Sequence, residues 1–212
     1  SGSLYFRRYF EYEIEIAKSL AARASLELRS FSSGSLQFFD QVIRPHLDDS
    51  QSLAVGVGMQ TNLLFLTGGP GTGKTRTLAL LLACMLKESP GLSIALAAPT
   101  GKSAHRMRQS IAQTLEDVDL PCEVAEKLLH SARASTLHRL LGSVHGSVDF
   151  RRNAGNPLSC DVVVVDEVSM VDLPLMAKLC SALSKDAVFI LAGDADQLSP
   201  VQGGAAFNSL VR

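Results

Sequence analysis

The chain has 212 residues, of which 46% are hydrophobic and 19% charged, with a formal net charge of -1 at pH 7. This composition supports a folded core and excludes a uniformly basic nucleic-acid binder, although it does not exclude a local basic groove. The four cysteines, Cys84, Cys122, Cys160 and Cys180, form no C-x-x-C pair, which argues against a cysteine zinc site. No secretory signal or run of about 18 apolar residues is visible, so we expect a cytoplasmic protein without a membrane span.

The first 48 residues are predicted to form a helical region of their own. Aromatic and aliphatic side chains recur at three- and four-residue steps, which predicts one helix over residues 5–28. This stripe consists of Tyr5, Tyr9, Tyr12, Ile16 and Leu20. A Ser-rich linker over residues 29–34 and a short helix over residues 36–47, which ends near Pro45, are expected to follow.

From residue 49 onward, predicted strands alternate with predicted helices. The strands are expected at residues 62–67, 93–98, 161–165 and 187–192. The helices are expected at residues 49–59, 75–87, 102–115, 135–141, 173–183 and 204–211. Residues 143–157 are polar and are expected to form a loop. This alternation is typical of an α/β fold, in which helices flank a parallel sheet.

A glycine-rich loop lies between the first predicted strand and the helix that follows it. It fits the pattern G-x-x-x-x-G-K-[ST] throughout, in the strand–loop–helix context that the pattern requires. Its residues are Gly68, Gly69, Pro70, Gly71, Thr72, Gly73, Lys74 and Thr75. Its backbone N–H groups would cradle phosphates, Lys74 would reach the β- and γ-phosphates, and Thr75 would ligate Mg²⁺. The sequence therefore predicts a site for ATP and Mg²⁺, and we assign the next residue, Arg76, to the same site.

Two carboxylates follow a run of four valines. The valines, residues 162–165, indicate a strand covered on both faces, and Asp166 and Glu167 stand at its carboxyl end, which faces the ligand in an open α/β sheet. Asp166 is expected to hold Mg²⁺ through water, and Glu167 to orient and deprotonate the attacking water. Taken alone, the pair could also be the acidic start of a helix. The phosphate loop nearby favours the ATPase interpretation.

Further segments resemble the motifs of superfamily 1 DNA helicases, and most of the chain resembles the alpha subunit of bacterial exodeoxyribonuclease V. In chain order, the segments similar to motifs Ia, Ib, II and III are residues 98–104, 135–142, 166–170 and 193–201. Gln51 stands where the family has a glutamine that reads adenine. The resemblance is weakest over residues 30–48 and 116–134. Ser103 and Val168 replace the family's usual alanines, and neither is expected to alter the chemistry.

The resemblance implies a P-loop NTPase fold of the RecA-like type over residues 49–212, preceded by a region at 1–48 that docks on a partner subunit. It implies contacts with the phosphates of single-stranded DNA for Thr100, Gly101, Lys102, Thr136 and His138. Gln197 would sense the γ-phosphate and complete the catalytic set with Lys74 and Glu167. The implied activity is 5′-to-3′ DNA unwinding, in double-strand break repair and recombination, alongside the beta and gamma subunits of exodeoxyribonuclease V.

Structural roles compete with several of these assignments. Thr100 and Gly101 could be only a strand-to-helix turn in which the threonine caps the helix. His138 could be a packed or solvated helix residue, and Gln197 an ordinary loop amide. For the N-terminal tyrosines, packing is favoured over stacking on nucleobases.

The sequence ends soon after motif III, before the second motor domain that the family carries. In the family, that domain supplies an arginine to the γ-phosphate, and such an arginine is worth about 10³ to 10⁵ in rate. Arg76, Arg106 and Arg108 lie on or near predicted core helices, and Arg212 is terminal. We therefore expect the chain by itself to bind nucleotide but to hydrolyse ATP weakly.

Other functions stay open at this point. A metabolic ATPase would lack the helicase motifs in this order, so it is disfavoured. A module whose ATP site regulates assembly is an alternative for the chain by itself. A stand-alone helicase of the same family is a closer alternative, but such proteins usually carry a long N-terminal extension with hairpin motifs that bind DNA.

Overall fold

The computed structural model describes residues 7–131 and 134–194, and within these ranges it contains eight α-helices and five β-strands. The helices are α1 (Arg7–Ala24), α2 (Ser33–Phe38), α3 (Asp49–Gln60), α4 (Lys74–Glu88), α5 (Gly101–Asp117), α6 (Cys122–Ser131), α7 (Leu137–Leu141) and α8 (Leu173–Ala182). The strands are β1 (Leu63–Thr67), β2 (Ile94–Ala98), β3 (Ser135–Thr136), β4 (Val162–Val165) and β5 (Val188–Gly193). None of the described helices is both long and apolar enough to cross a membrane.

The five strands form one parallel sheet in the order β1-β5-β4-β2-β3. Strand β4 lies in the middle, with Val165 opposite Ala97 of β2 on one side and Leu191 of β5 on the other. This confirms the predicted α/β fold with a parallel sheet flanked by helices. Because all the strands run the same way, their carboxyl ends meet at one edge of the sheet.

Each face of the sheet carries its own hydrophobic core. Val162 and Val164 belong to the core that contains most of α4, whereas Val163 and Val165 belong to the core that contains α7 and α8. Successive strand residues point to opposite faces, so a run of four fully buried valines needs cover on both sides. Helix α4 is buried from Thr77 to Leu86, which is typical of a helix surrounded by packing partners.

The N-terminal region packs on both faces of this sheet. Ile16 and Leu20 of α1 lie in the core beside α8, and the Arg23 guanidinium donates to the Ser184 carbonyl at 2.6 Å. Phe38, at the end of α2, joins the opposite core beside α4. These contacts fix residues 7–48 to the sheet, and the assignment of this region to partner docking stays a prediction.

Three predicted boundaries in the N-terminal half are wrong. Helix α1 ends at Ala24, four residues before the predicted end, and the chain then turns so that the Arg29 N–H donates to the Gln60 carbonyl at 2.8 Å. Helix α2 begins inside the predicted linker, because the Ser32 hydroxyl caps it. The single helix predicted at 36–47 is instead α2, a π-helical turn (Phe39–Ile43) and a 3₁₀ turn (Arg44–His46) that contains Pro45.

Two further differences lie beyond residue 100. Helix α6 falls in the segment where the family resemblance is weak and was not predicted. Its Val124 and Leu128, one helical turn apart, join the core beside α4. Ser135 and Thr136 form a short edge strand beside β2 where a helix was predicted, and α7 begins only at Leu137. The helix predicted at 204–211 and Tyr5 lie outside the described residues.

Candidate nucleotide and nucleic-acid site

The predicted site residues gather along the carboxyl edge of the sheet. The phosphate loop follows β1, Asp166 follows β4, Thr100 lies just beyond β2, and Thr136 ends β3. The strand order therefore places the acidic pair between the phosphate loop and the segments predicted to bind DNA. Gln197 follows β5, which lies between β1 and β4, but it is outside the described residues.

The phosphate loop is curled so that its lysine lies inside it. Gly71 and Gly73 have φ values of 76° and 80°, which glycine adopts at little cost. The Lys74 Nζ donates to the carbonyl oxygens of Gly68 and Gly69, at 2.5 Å and 2.8 Å. The Thr72 hydroxyl also donates to the Gly69 carbonyl, at 2.9 Å. The ammonium thus lies against the loop at the start of α4, and the N-terminus of a helix favours phosphate.

Gln51 lies directly against this loop. Its Nε2 donates to the Thr72 carbonyl at 3.1 Å, and its Oε1 accepts the Asp48 N–H at 3.2 Å. The Asp48 carboxylate in turn accepts the Gln51 N–H at 2.8 Å, so the two residues form a capping box at the start of α3. A Cβ atom on Gly73 would come within 2.6 Å of the Gln51 Nε2. The glutamine predicted to read adenine is therefore held beside the phosphate loop by α3.

Asp166 is half-buried at the end of β4. The pKa of its carboxyl is raised, chiefly by burial and further by the charge of Glu167. The hydrogen bond from the Glu167 N–H and the charge of Lys74 oppose this shift. A cation beside this carboxylate would offset the cost of burying it. Asp166 and the Thr75 hydroxyl carry hard oxygen atoms of the kind that Mg²⁺ prefers, and Mg²⁺ binding by these two residues stays a prediction. In the described part of the chain, no three His, Cys, Asp or Glu residues form a metal cluster.

Glu167 has the only non-glycine backbone with positive φ among the described residues, at φ 52° and ψ 39°. This left-handed conformation costs about 1 to 3 kcal/mol in a residue with a side chain, and such strain is concentrated at functional sites. The Glu167 carboxylate accepts a hydrogen bond from the Ser103 hydroxyl, in the first turn of α5. Ser103 was not predicted as a site residue, and its only signal in the sequence was its departure from the family's usual alanine.

The start of α5 links the acidic pair to the predicted DNA contacts. The Thr100 hydroxyl accepts the Ser103 N–H at 3.1 Å and lies 2.8 Å from the Ser103 hydroxyl. Thr100 is therefore the N-cap of α5, which confirms the structural role considered for it. Gly101 and Lys102 are exposed in the same turn. DNA contacts by these three residues stay a prediction.

The second pair of predicted DNA contacts lies around α7. The Thr136 hydroxyl accepts the Arg139 N–H at 3.2 Å and so caps α7. His138 is exposed, with its ring edge-to-face to Phe150 at a centroid distance of 5.8 Å. It lines a groove of about 310 Å³ that Tyr9 and other residues of α1 and α8 also line. The structure brings Thr136 to the edge of the sheet and places His138 in this groove.

Arg76 was assigned to the nucleotide site, and in the structure its side chain contacts an acidic residue of α5. Its guanidinium forms an ion pair with Asp117 at the end of α5, at 3.5 Å. Both side chains are partly exposed, at 34% and 46%, so the pair contributes little stability. Nucleotide binding by Arg76 therefore remains a prediction.

Comparison with known proteins matches the sequence to the family described as AAA domain over residues 51–203. The RecBCD enzyme subunit RecD of Mycolicibacterium smegmatis is 37% identical over 214 residues, which cover 98% of this chain and 37% of the relative. The RecBCD enzyme subunit RecD of Haemophilus influenzae is 38% identical over 222 residues, which cover 100% of this chain and 34% of the relative. The ATP-dependent RecD2 DNA helicase of Deinococcus radiodurans is 37% identical over 169 residues, which cover 80% of this chain and 20% of the relative.

The chain thus spans between 34% and 37% of the length of these two RecD relatives. The family match covers more than half of the chain and includes the phosphate loop, Asp166 and Glu167. The chain therefore belongs to the AAA domain family, and over nearly its whole length its sequence is similar to RecD subunits.

Proposed function

We propose that this chain is the first motor domain of an ATP-dependent DNA helicase that resembles RecD. One observation carries the proposal: the phosphate loop, the Asp166–Glu167 pair and Thr100 lie along one edge of a parallel sheet, in an order that puts the acidic pair in the middle. In this arrangement a single helix, α5, contacts the acidic pair and also presents the predicted DNA contacts. Helix α5 would then couple ATP hydrolysis to movement along single-stranded DNA.

The chemistry proposed for the nucleotide site gives a role to each of the predicted site residues. The loop N–H groups and the Lys74 ammonium bind the β- and γ-phosphates, and the Glu167 carboxylate orients the attacking water and accepts its proton. Thr75 and Asp166 would hold Mg²⁺, which when bound supplies charge that offsets the phosphates. Gln51 reads the adenine, Arg76 lies beside the nucleotide, and Gln197 reports its state.

The proposed DNA contacts are directed at the backbone. Hydroxyls and N–H groups of Thr100, Gly101 and Thr136, with the Lys102 ammonium and the His138 ring, suit phosphate oxygens and ignore base identity. This agrees with a motor that must move along any sequence. A 5′-to-3′ direction is part of the proposal and follows from the resemblance alone.

We also propose that the chain works beside the beta and gamma subunits of exodeoxyribonuclease V in the cytoplasm, in double-strand break repair. The RecD relatives are named as subunits of the RecBCD enzyme. In this chain, Phe10 and Ile14 of α1 are 53% and 37% exposed, and Leu28 beyond it is 67% exposed. Exposed apolar side chains in the N-terminal region support its role in docking on a partner subunit.

The decisive experiment is a titration with a fluorescent, slowly hydrolysed ATP analogue and Mg²⁺, with and without oligo-dT. Removing the Lys74 ammonium is expected to raise the Kd about 100-fold or more, because a charge pair near 4 Å is worth about 4 kcal/mol at an effective dielectric of about 20. Lys185→Ala is the matched control, because Lys185 is exposed before β5, at the opposite edge of the sheet. Equal affinities for Lys74→Ala and the unaltered protein would contradict the nucleotide site.

A shift of this Kd with oligo-dT would support coupling between the nucleotide site and DNA. If the nucleotide binds but oligo-dT never changes its affinity or its hydrolysis in the full-length protein, the chain is an ATP-binding module without a DNA motor function. This outcome would favour a regulatory role in assembly.

A further inference from the structure

We propose that Ser103 is a positioning residue that holds the Glu167 carboxylate against α5 and releases it when Thr100 binds a DNA phosphate. The inference rests on the proposed function and specifies how DNA controls the same active site. It starts from three hydrogen bonds that join Thr100, Ser103 and Glu167 in one chain.

The role proposed for Glu167, an ionised general base, assigns the hydrogens in this chain. An ionised carboxylate only accepts, so the Ser103 hydroxyl must donate to the Glu167 Oε2. The one hydrogen of the Ser103 hydroxyl is then used, and the 2.8 Å contact between the two hydroxyls needs a donor from Thr100. The Thr100 Oγ1 also accepts the Ser103 N–H at 3.1 Å. The direction is therefore Thr100 to Ser103 to Glu167.

With this assignment, the Thr100 hydroxyl cannot donate to the Ser103 hydroxyl and to a DNA phosphate at the same time. The oxygens of a DNA phosphate diester accept hydrogen bonds and do not donate them, and a threonine hydroxyl has a single hydrogen. A phosphate bound at Thr100 must therefore take the hydrogen that Ser103 receives in its absence. The Ser103 hydroxyl then loses its donor, and the bond from Ser103 to Glu167 loses the polarisation that a continuous chain provides.

The backbone around Glu167 is suited to such a release. Its left-handed conformation is fixed between β4 and the 3₁₀ turn Val168–Met170, and Val168 is buried. The side chain can therefore change partners while the main chain stays in place. While it is held, the carboxylate lies at the N-terminus of α5, where partial positive charge favours an anion. Loss of the Ser103 bond frees it to align the attacking water.

Ser103→Ala tests this directly, because it removes one hydroxyl from a buried position and restores the residue that the resemblance gives there. Steady-state ATP hydrolysis by the full-length protein would be measured with and without oligo-dT. The DNA-free kcat is expected to rise about fivefold, equivalent to about 1 kcal/mol, and the stimulation by DNA to fall by a similar factor. Affinity for the ATP analogue is expected to stay within about twofold, since no loop contact changes.

A second variant and a matched control separate this role from a general effect on folding. Thr100→Val removes both the upstream donor and the N-cap of α5, so it is expected to raise the DNA-free kcat, to weaken binding of oligo-dT and to lower the free energy of unfolding. Ser110→Ala makes the same substitution on the same helix, about two turns beyond Ser103, and is expected to leave both rates unchanged. The free energy of unfolding of each variant would be measured in urea.

The outcomes distinguish the two proposals. If the unaltered protein is stimulated by oligo-dT but Ser103→Ala has the same stimulation ratio, or loses both rates by one factor, Ser103 does not hold Glu167 and the proposed helicase function stands. If the unaltered protein shows no stimulation by DNA, both proposals are overturned.

Discussion

The Asp161 carboxylate joins the starts of two neighbouring strands through Ser93. Its Oδ2 accepts the Ser93 hydroxyl at 2.7 Å and the Ser93 N–H at 2.8 Å. The Asp161 N–H in return donates to the Ser93 carbonyl at 2.9 Å. Ser93 precedes β2 and Asp161 precedes β4, so the pair lies at the edge of the sheet opposite the nucleotide site. The hydrogen bonds from the Ser93 hydroxyl and N–H lower the pKa of Asp161.

Asp161→Asn is expected to lower the free energy of unfolding by about 1 kcal/mol at neutral pH, because a charged acceptor of two hydrogen bonds is lost. A carboxyl with a depressed folded pKa stabilises the protein above its unfolded pKa, here about 3.8, and this contribution is lost as the pH falls through the folded pKa. The difference between the variant and the unaltered protein should therefore shrink below about pH 4. Urea unfolding across this range would measure it.

Asp186→Asn is the control for this prediction, because Asp186 is exposed near the start of β5 and forms no ion pair within residues 7–131 and 134–194. It is expected to change stability by less than about 0.5 kcal/mol. A loss for Asp161→Asn that is the same at pH 3 and pH 7 would contradict the proposed role of the charge.

Two glycines of α3 should respond in opposite ways to the same substitution. A Cβ atom on Gly58 would meet the Leu81 Cδ2 at 2.6 Å and the Leu64 Cδ2 at 2.9 Å, where α3 crosses α4 and β1. A Cβ atom on Gly56 would meet nothing within 4 Å. Gly58→Ala is therefore expected to destabilise the protein by about 1 to 3 kcal/mol. Gly56→Ala should stabilise it by about 0.5 to 1 kcal/mol, because alanine is the better helix former.

Thermal and urea unfolding of the two variants would test this close approach of α3 to its neighbours. If Gly58→Ala were as stable as Gly56→Ala, the packing of α3 against α4 would be looser than described. Because α3 also carries Gln51, Gly58→Ala is further expected to weaken nucleotide binding, whereas Gly56→Ala is not.

The sequence predicted the sheet well because each main strand has a strong local signal. Four consecutive valines at 162–165 have no competing helical pattern, and the loop with Lys74 marks both the end of β1 and the start of α4. The strand β3 was missed because two residues carry no periodicity, and only its pairing with β2 makes it a strand. Helix α1 was predicted too long because nothing in residues 25–28 signals the turn toward α3.

The sequence predicted which residues form the candidate site and that they gather at the carboxyl edge of the sheet. It did not predict the contacts between their side chains. Gln51 was assigned by resemblance, and its contact with the Thr72 carbonyl depends on how α3 lies beside the phosphate loop. The bond between Ser103 and Glu167 joins residues 64 positions apart, after neighbouring strands of the sheet. Such a contact depends on strand order, which composition and local spacing do not encode.

The left-handed backbone at Glu167 leads to a prediction about stability. Both Glu167→Gly and Glu167→Ala remove the carboxylate and its bond to Ser103. They differ in how well each residue tolerates φ 52°, which favours glycine, and in the greater freedom of glycine in the unfolded chain, which favours alanine. The glycine variant is expected to be more stable than the alanine variant by about 1 kcal/mol. Urea unfolding would measure the difference, and both variants should lose hydrolysis.

Met170 provides the control, because it lies in the adjacent 3₁₀ turn without a positive φ. There, Met170→Ala should be more stable than Met170→Gly, since glycine only adds conformational freedom to the unfolded chain. The same order at both positions would show that Glu167 is not strained.

Gln51→Glu separates the two roles that the structure and the resemblance give to this side chain. The substituted carboxylate can still accept the Asp48 N–H, so the capping box of α3 is kept and stability should change by less than about 1 kcal/mol. The Nε2 donor, which meets the Thr72 carbonyl and is predicted to read adenine, is lost. If Gln51 recognises the base, the Kd for ATP should rise about tenfold while the Kd for GTP rises much less. An equal loss for both nucleotides, from the lost brace on the phosphate loop or from the new negative charge beside it, would show that Gln51 does not read the base, and unchanged affinities would remove it from the site.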